Sequence, residues 1–239
     1  MRLMRFGEAA SRLFARPLST APRVSSLESW AGCLDASGLA ASVPSDLTHA
    51  VGNQSQPLSD YNAFEIDPTL HEGLRAAQGE WAVPHVSAFG AQVGASAWQA
   101  HADAANKHPP KLISHDRFGR RIDVVEYHPS YHELMRLAIE EGATHSFAWD
   151  PAHADRPGAL VARCTLMYLM YTLEQGVCCP ATMTFAATPA MLAAEAPSVA
   201  GTWLPLLAAR AYDPRDVPVT DKSGATVRMS MTEKQGVYP

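Results

Sequence analysis

Along the chain, apolar residues recur at helical spacing through most of the middle and switch to alternation only near the end. Asp67-Pro68 is a helix start, since Asp caps free N–H groups and Pro at the first position loses no useful donor. That helix is predicted to run to about Gln78. After Gly79 a second is predicted from Glu80 to near Asn106, with Trp81, Val86, Phe89, Val93 and Trp98 along one side. Pro84 falls in its first turn, and His108-Pro109-Pro110 stops it. Residues 111–127, with Phe118-Gly119-Arg120-Arg121, read as a loop-rich connection. His128-Pro129 opens another helix to about Glu141, where Gly142 is a natural stop.

From Ala159 to Gln175 the chain is apolar nearly all round, broken by Arg163 and Glu174. A stretch of this length falls short of the roughly 20 residues a membrane span needs, so it is expected to be a central buried helix. Apolar texture continues from Cys179-Pro180 to Phe185. Thr188-Pro189 is expected to cap a helix through about Glu195, and Ser198 to Ala211 is expected to form one more. Beyond Val217 the period changes. Ser223-Gly224 marks a turn, and Ala225, Val227, Met229 and Met231 alternate with more polar residues, a strand signal. The pattern therefore predicts a mainly α domain over residues 53–216 and the start of a β domain over 217–239.

The first 52 residues differ in kind. Arg2, Arg5, Arg12, Arg16 and Arg23 are interspersed with Ser11, Ser19, Ser25 and Ser26, and Glu8 is the one acidic residue before Glu28. Arg-rich, Ser-rich and acid-poor composition with spaced Leu and Phe is that of a mitochondrial transit peptide, whose positive amphipathic helix the import machinery reads. Import to the matrix, with removal near Arg16-Pro17-Leu18-Ser19, is one expectation; an untargeted N-terminal tail is the other. No apolar run long enough for a secretory signal follows the basic residues. Residues 26–52, rich in Ser, Ala, Gly and Pro, read as linker.

Across all 239 residues, 47% are hydrophobic and 18% charged, enough for a sizeable core. The net charge of -5 argues against a chain-wide electrostatic grip on nucleic acid. Cys33, Cys164, Cys178 and Cys179 include no C-x-x-C pair, so neither a disulfide framework nor a zinc site is indicated. Cys164 and Cys178 are expected to be buried free thiols. His128 and His132, with Glu133 adjacent, share a helix face at a spacing that can begin a metal site. The His-Glu-x-x-His arrangement is absent, so a helix cap for His128 and packing for His132 are the simpler expectations, and no metal ligand is assigned. Lys107, Lys111, Arg117, Arg120 and Arg121 form a basic cluster. It can meet phosphate, or be a solvated face paired with Asp116, Asp123 and Glu126.

Four stretches stand together in order. They are Ala105 to Arg121, Glu126 to Met135, Cys179-Pro180-Ala181-Thr182-Met183-Thr184-Phe185-Ala186-Ala187-Thr188-Pro189, and Met231-Thr232-Glu233-Lys234-Gln235-Gly236. In this combination the chain resembles the AidB branch of the acyl-CoA dehydrogenase family over most of residues 53 to 236. The resemblance implies an N-terminal helical domain, a central β-barrel and a C-terminal helical bundle, assembled as a homo-oligomer. It implies FAD as cofactor and an acyl-CoA-like thioester as substrate. Met229, Met231 and Thr232 match positions that contact FAD, with Thr and backbone donors placed to stabilise charge on the ring. Thr182 to Phe185 match the wall near acyl chain and flavin, with plain core packing as the alternative. DNA association also belongs to the AidB branch, carried there mainly by the C-terminal part.

This sequence departs from the family pattern in two places. Ser230 stands where that branch commonly has Gly, and Gly236-Val237-Tyr238-Pro239 stands where it continues Gly-Gly-Ser-Asp. The chain is therefore expected to hold the first strand or strands of a truncated barrel, without the glutamate that takes the α-proton. No catalytic residue is assigned, and these 239 residues are expected to bind FAD weakly and to be inactive alone. A non-enzymatic stress-response role or a helical interaction fragment is the competing class.

Overall fold

In the computed structural model, Ser55 and residues 57–193 and 197–229 are described. The transit-peptide and linker expectations, and the sites Met231 and Thr232, lie outside those residues. The chain divides into two units after Gln56, and the helices and strands described belong to the second. Its described residues form seven helices and one two-stranded sheet. The helices are α1 (Pro68–Ala76), α2 (Val83–Val93), α3 (Ser96–Lys107), α4 (Pro129–Arg136), α5 (Ala159–Leu173), α6 (Cys178–Ala193) and α7 (Pro197–Ala208). The strands β1 (Lys111–His115) and β2 (Arg121–Glu126) lie between α3 and α4.

The expected helix starts are realised by their caps. The Asp67 carboxylate accepts from Thr69 N at 2.9 Å, with Pro68 at the first helical position. The His128 ring nitrogen accepts from Ser130 N at 3.2 Å, which makes His128 the cap of α4. Past Arg136 that helix widens into a π turn, Leu137–Glu141, and ends at Gly142. As its all-round apolar texture predicts, α5 is central. Ala162, Leu166, Leu169 and Met170 are fully buried against α2 and α1, with Val86, Phe89 and Leu74 opposite. None of the helices described is long and apolar enough to cross a membrane.

Four details correct the sequence reading. The helix expected over 80–106 is a short 3-10 turn (Glu80–Ala82) followed by α2 and α3, separated at Gly94-Ala95. Two groups from the entering chain cause this break. Asp60 N donates to the Gly94 carbonyl at 2.8 Å, and the Asp60 carboxylate takes Ser96 N at 2.9 Å, starting α3 afresh. A Cβ at Gly94 would sit 1.8 Å from the Tyr61 carbonyl oxygen, so only glycine allows that approach.

The stretch 111–127 is an antiparallel hairpin rather than loop, with Lys111 opposite Glu126 and an irregularity beyond Ile113. Its turn is closed by the Asp116 carboxylate, which accepts from Phe118 N at 2.8 Å and Arg120 N at 2.9 Å. Both strands stay exposed, so their apolar positions carried no burial pattern to read.

Thr188-Pro189 does not open a helix; Pro189 lies inside α6. Proline lacks the N–H that would bond four residues back, which leaves the Phe185 carbonyl free. Trp149 supplies the missing donor, its indole N–H reaching that oxygen at 3.0 Å while its ring stacks on Phe185 at 4.8 Å. A tertiary donor thus lets the helix pass through its proline. Cys164 is exposed rather than buried, since it lies on the outer side of α5; Cys178 is buried as expected.

Replacing Trp149 with Phe keeps the ring and removes the donor, leaving a carbonyl without its partner. A loss of about 1–3 kcal/mol is expected in urea unfolding. An unchanged midpoint would mean that α6 tolerates Pro189 without help from Trp149.

Candidate functional site

Among the described residues after α7 the one regular element is a 3-10 turn at Val219–Asp221, yet the segment is fixed in place by polar contacts. Arg210 donates to the Glu140 carbonyl at 2.6 Å, and Tyr212 N to the Glu140 carboxylate at 3.0 Å. The Tyr212 hydroxyl lies 2.8 Å from His132 Nδ1, so His132 packs. Asp213 is the hub. Its side chain is 3% exposed and accepts from Arg215 Nε at 2.8 Å, Arg215 Nη2 at 2.6 Å and Ser223 N at 3.0 Å. The Arg215 guanidinium and the Ser223 amide hold the Asp213 carboxyl well below the usual carboxylate range. Lys222 ties the loop from its other side, donating to the Asp213 carbonyl at 3.1 Å and the Arg215 carbonyl at 2.7 Å. Two positions on, the chain passes Ala211 so closely that a Cβ on Gly224 would lie 2.0 Å from the Ala211 oxygen.

Residues 225–229, the start of the expected strand, then run non-helical and without a ladder partner among the described residues. Ala225 N donates to the Leu206 carbonyl at 3.1 Å. Val227 N donates to Thr184 Oγ1 at 3.1 Å, across 43 residues of sequence. Thr184 in turn donates to the Pro180 carbonyl at 2.7 Å, so its hydroxyl is used on both sides. Beyond this pairing Met229 and Met183 line one cleft of about 490 Å³ with Tyr127, Tyr131, Pro180 and Arg228. Tyr127 and Tyr131 are stacked at 4.4 Å, and Arg228 Nη2 donates to the Tyr127 hydroxyl at 3.1 Å. Burial first, then the neighbouring Tyr127, pushes the Tyr131 phenol up to about 12, so it stays a protonated donor at neutral pH. Glu174 shares the cleft, but its carboxylate already accepts from Gly176 N at 2.8 Å and Val177 N at 2.9 Å.

Of the three cofactor positions named from sequence, only Met229 is described. It is 62% exposed at the cleft edge. Thr184 is fully buried, whereas Met183 opens to the cleft, so the stretch 182–185 serves both packing and cleft wall. The basic cluster is mostly spent on local contacts. Arg121 meets Asp123 at 2.6 Å, Lys107 meets Asp103 at 2.5 Å, and Arg117 and Arg120 lie over the Phe118 ring at 4.6 and 5.4 Å. Among the described residues no cluster of three His, Cys, Asp or Glu could hold a metal ion. Sequence reasoning missed Tyr127, Tyr131 and Arg228 as cleft residues. The four-residue spacing of the tyrosines across a helix cap was the available sign. Arg228 gave none beyond its place in an otherwise apolar alternation.

His145 is a second anchor of this segment. It is 1% exposed, and its Nε2–H donates to the Ala209 carbonyl at 3.0 Å, which leaves Nδ1 without a described partner. Burial lowers its pKa to about 4. The neutral ring is therefore favoured in the folded state, so its stabilisation is complete above the unfolded value near 6.5. That stabilisation is lost as pH falls toward 4. The expected loss over that window is on the order of 3 kcal/mol. Urea midpoints between pH 7 and 4 test it, and His145→Gln, which keeps an N–H donor, is expected to flatten that slope. Asp213→Asn should loosen the segment itself, seen as faster proteolysis within 214–223 at pH 7.

Residues 53–214 match the family described as the adaptive response protein AidB N-terminal domain. A putative acyl-CoA dehydrogenase, AidB of Escherichia coli (strain K12), is 37% identical over 189 residues, which cover 79% of this chain. The chain spans about a third of that relative, 34% of its length. Among solved structures, the apo form of Bd2924 aligns with a TM-score of 0.64 and 26% identity, over 77% of this chain and 35% of the other. Caenorhabditis elegans ACDH-11, solved in complex with C11-CoA, aligns with a TM-score of 0.61 over 80% of this chain and 32% of its own. At 23% identity that last likeness is one of fold.

Proposed function

The chain belongs to the AidB-like acyl-CoA dehydrogenase family, of which it carries the N-terminal portion, and we propose that its cleft is one wall of a flavin-dependent acyl-thioester site. One observation carries this reading. The Val227–Thr184 hydrogen bond joins two distant stretches that resemblance places by the flavin and by the acyl chain, and sets Met229 and Met183 in one cleft. Exposed Met229 suits a flat aromatic ring laid against an open edge. FAD, when bound, supplies the hydride acceptor. Met229 at the cleft edge would hold one side of it, and by resemblance Met231 and Thr232 would be its further contacts, with the Thr hydroxyl as a donor where negative charge builds. Met183 and Pro180 then face the acyl group.

We assign no base within the cleft. An α-proton needs a base within hydrogen-bond reach, and the carboxylate described in the cleft, Glu174, is turned onto the Gly176 and Val177 amides. These 239 residues alone are accordingly proposed to retain little flavin and to leave acyl-CoA unoxidised. Purified protein should emerge from gel filtration colourless, and stoichiometric absorbance near the flavin bands would overturn this part of the reading.

Delivery to the mitochondrial matrix is proposed on the basic, acid-poor leader alone, since the curated relative above is bacterial. Residues 1–52 fused to a fluorescent protein should co-localise with a matrix marker, and a diffuse cytosolic signal would remove the proposal.

A further inference from the structure

Tyr127, Tyr131, His132 and Tyr212 form a continuous run of aromatic rings. Tyr127 and Tyr131 stack at 4.4 Å, Tyr131 and His132 meet edge to face at 5.6 Å, and the His132 and Tyr212 rings are 6.0 Å apart. Such separations are those of aromatic neighbours in contact. The run joins two cavities, since Tyr127 and Tyr131 line the cleft and Tyr212 lines a second of about 290 Å³ beside Asp213. At its far end the Tyr212 hydroxyl and His132 Nδ1 are 2.8 Å apart. A phenol O–H is a stronger acid than a neutral imidazole N–H, and an imidazole nitrogen a stronger base than a phenol oxygen, so Tyr212 donates and Nδ1 accepts. Burial and then Arg136 lower the His132 pKa, with Glu133 opposing them, so the ring is neutral and able to accept at pH 7. Burial, then Tyr131 and Tyr127, push the Tyr212 phenol up, so its proton is present to give. The three phenols differ in what meets the hydroxyl. Arg228 donates to Tyr127, which sets positive charge against that oxygen. Tyr131 has no hydrogen-bonded base among the described residues, whereas Tyr212 has one. Oxidation makes a phenol O–H strongly acidic, so an electron leaves most readily where a base takes the proton in the same step.

We propose that Tyr212 and His132 are a proton-coupled redox pair, a sink for oxidising equivalents that reach the cleft at Tyr127 and Tyr131. A one-electron oxidant of the oxygen-radical class, such as carbonate radical anion, takes one electron through the stacked rings and is reduced to carbonate. That electron is supplied by Tyr212, whose O–H bond breaks as an N–H bond forms at His132 Nδ1. A neutral phenoxyl and an imidazolium remain, and the Glu133 carboxylate favours the added positive charge. One electron from a reductant, with return of the same proton to oxygen, restores the pair. The proposal goes beyond the acyl-thioester reading and needs neither flavin nor substrate, so either can fail without the other.

Carbonate radical is generated by pulse radiolysis in a solution of the full 239-residue chain, and the tyrosyl radical is followed by absorbance and electron paramagnetic resonance. A long-lived neutral tyrosyl signal is expected. Tyr212→Phe, which keeps the ring, should cut its yield severalfold, and Tyr168→Phe, at an exposed tyrosine of α5, should leave it unchanged. His132→Gln keeps a hydrogen-bonding side chain without a base, and should slow formation of the radical and shorten its life severalfold. In deuterium oxide the unaltered chain should form the radical more slowly, the mark of a proton that moves with the electron. A long-lived signal that survives Tyr212→Phe, equal signals with and without His132, or a rate indifferent to deuterium would overturn the proposal. So would a loss of signal in Tyr168→Phe as large as in Tyr212→Phe, which would make exposure the deciding property. Matching circular-dichroism spectra of the variants separate a lost redox pair from a lost fold.

Discussion

Helix α5 is apolar on nearly every side, and the remaining elements are arranged to cover it. Its one charged residue, Arg163, is only 7% exposed and has no carboxylate against it among the described residues. Removing a guanidinium from water is costly unless its donors and charge find partners. Here Nε donates to the Thr144 carbonyl at 2.8 Å, and the guanidinium lies 3.9 Å over the face of Phe185. The same Phe185 stacks on Trp149 and gives its carbonyl to the Trp149 indole. One buried cation therefore joins the 143–149 turn, α5 and the proline-bearing half of α6. A cation–π contact in a dry site contributes more than one at the surface, and it compensates this buried charge in part, since Arg163 Nη2 has no hydrogen-bond partner among the described residues.

That arrangement fixes where the cleft can form. On α6, Thr184 lies under the returning chain and offers its hydroxyl oxygen to Val227 N. Asp213 and its donors on Arg215 and Ser223 bend the chain so that this return is possible. The residues that create the cleft are therefore mostly outside it. Those inside it come from four separate parts of the sequence, 105–110, 127–131, 174–183 and 228–229.

Family membership and geometry bear on different statements. Identity to the bacterial relative, together with the domain match, assigns lineage and the helical fold. A likeness covering a third of that protein's length leaves chemistry to be argued from this chain's own groups. On those groups, the cleft brings together the Arg228 guanidinium, two phenols, the Glu174 carboxylate and an apolar wall.

Helix starts at Asp67 and His128, the central burial of α5, and the mainly α class were legible from residue order alone. Caps and periodic apolar faces act over a few residues, so local sequence contains their cause. The break at Gly94, the passage of α6 through Pro189 and the exposure of Cys164 were not legible. Each depends on a group far along the chain: the Asp60 and Tyr61 backbone, the Trp149 indole, the choice of which side of α5 is covered. The hairpin at 111–126 escaped notice because neither face is buried, and strands are read by alternation between core and solvent. Met229 could be named from a motif, but its neighbours Tyr127, Tyr131 and Arg228 could not. Only the folded chain sets those side chains together, because a cleft is made by distant segments meeting, and spacing in sequence carries no record of that distance.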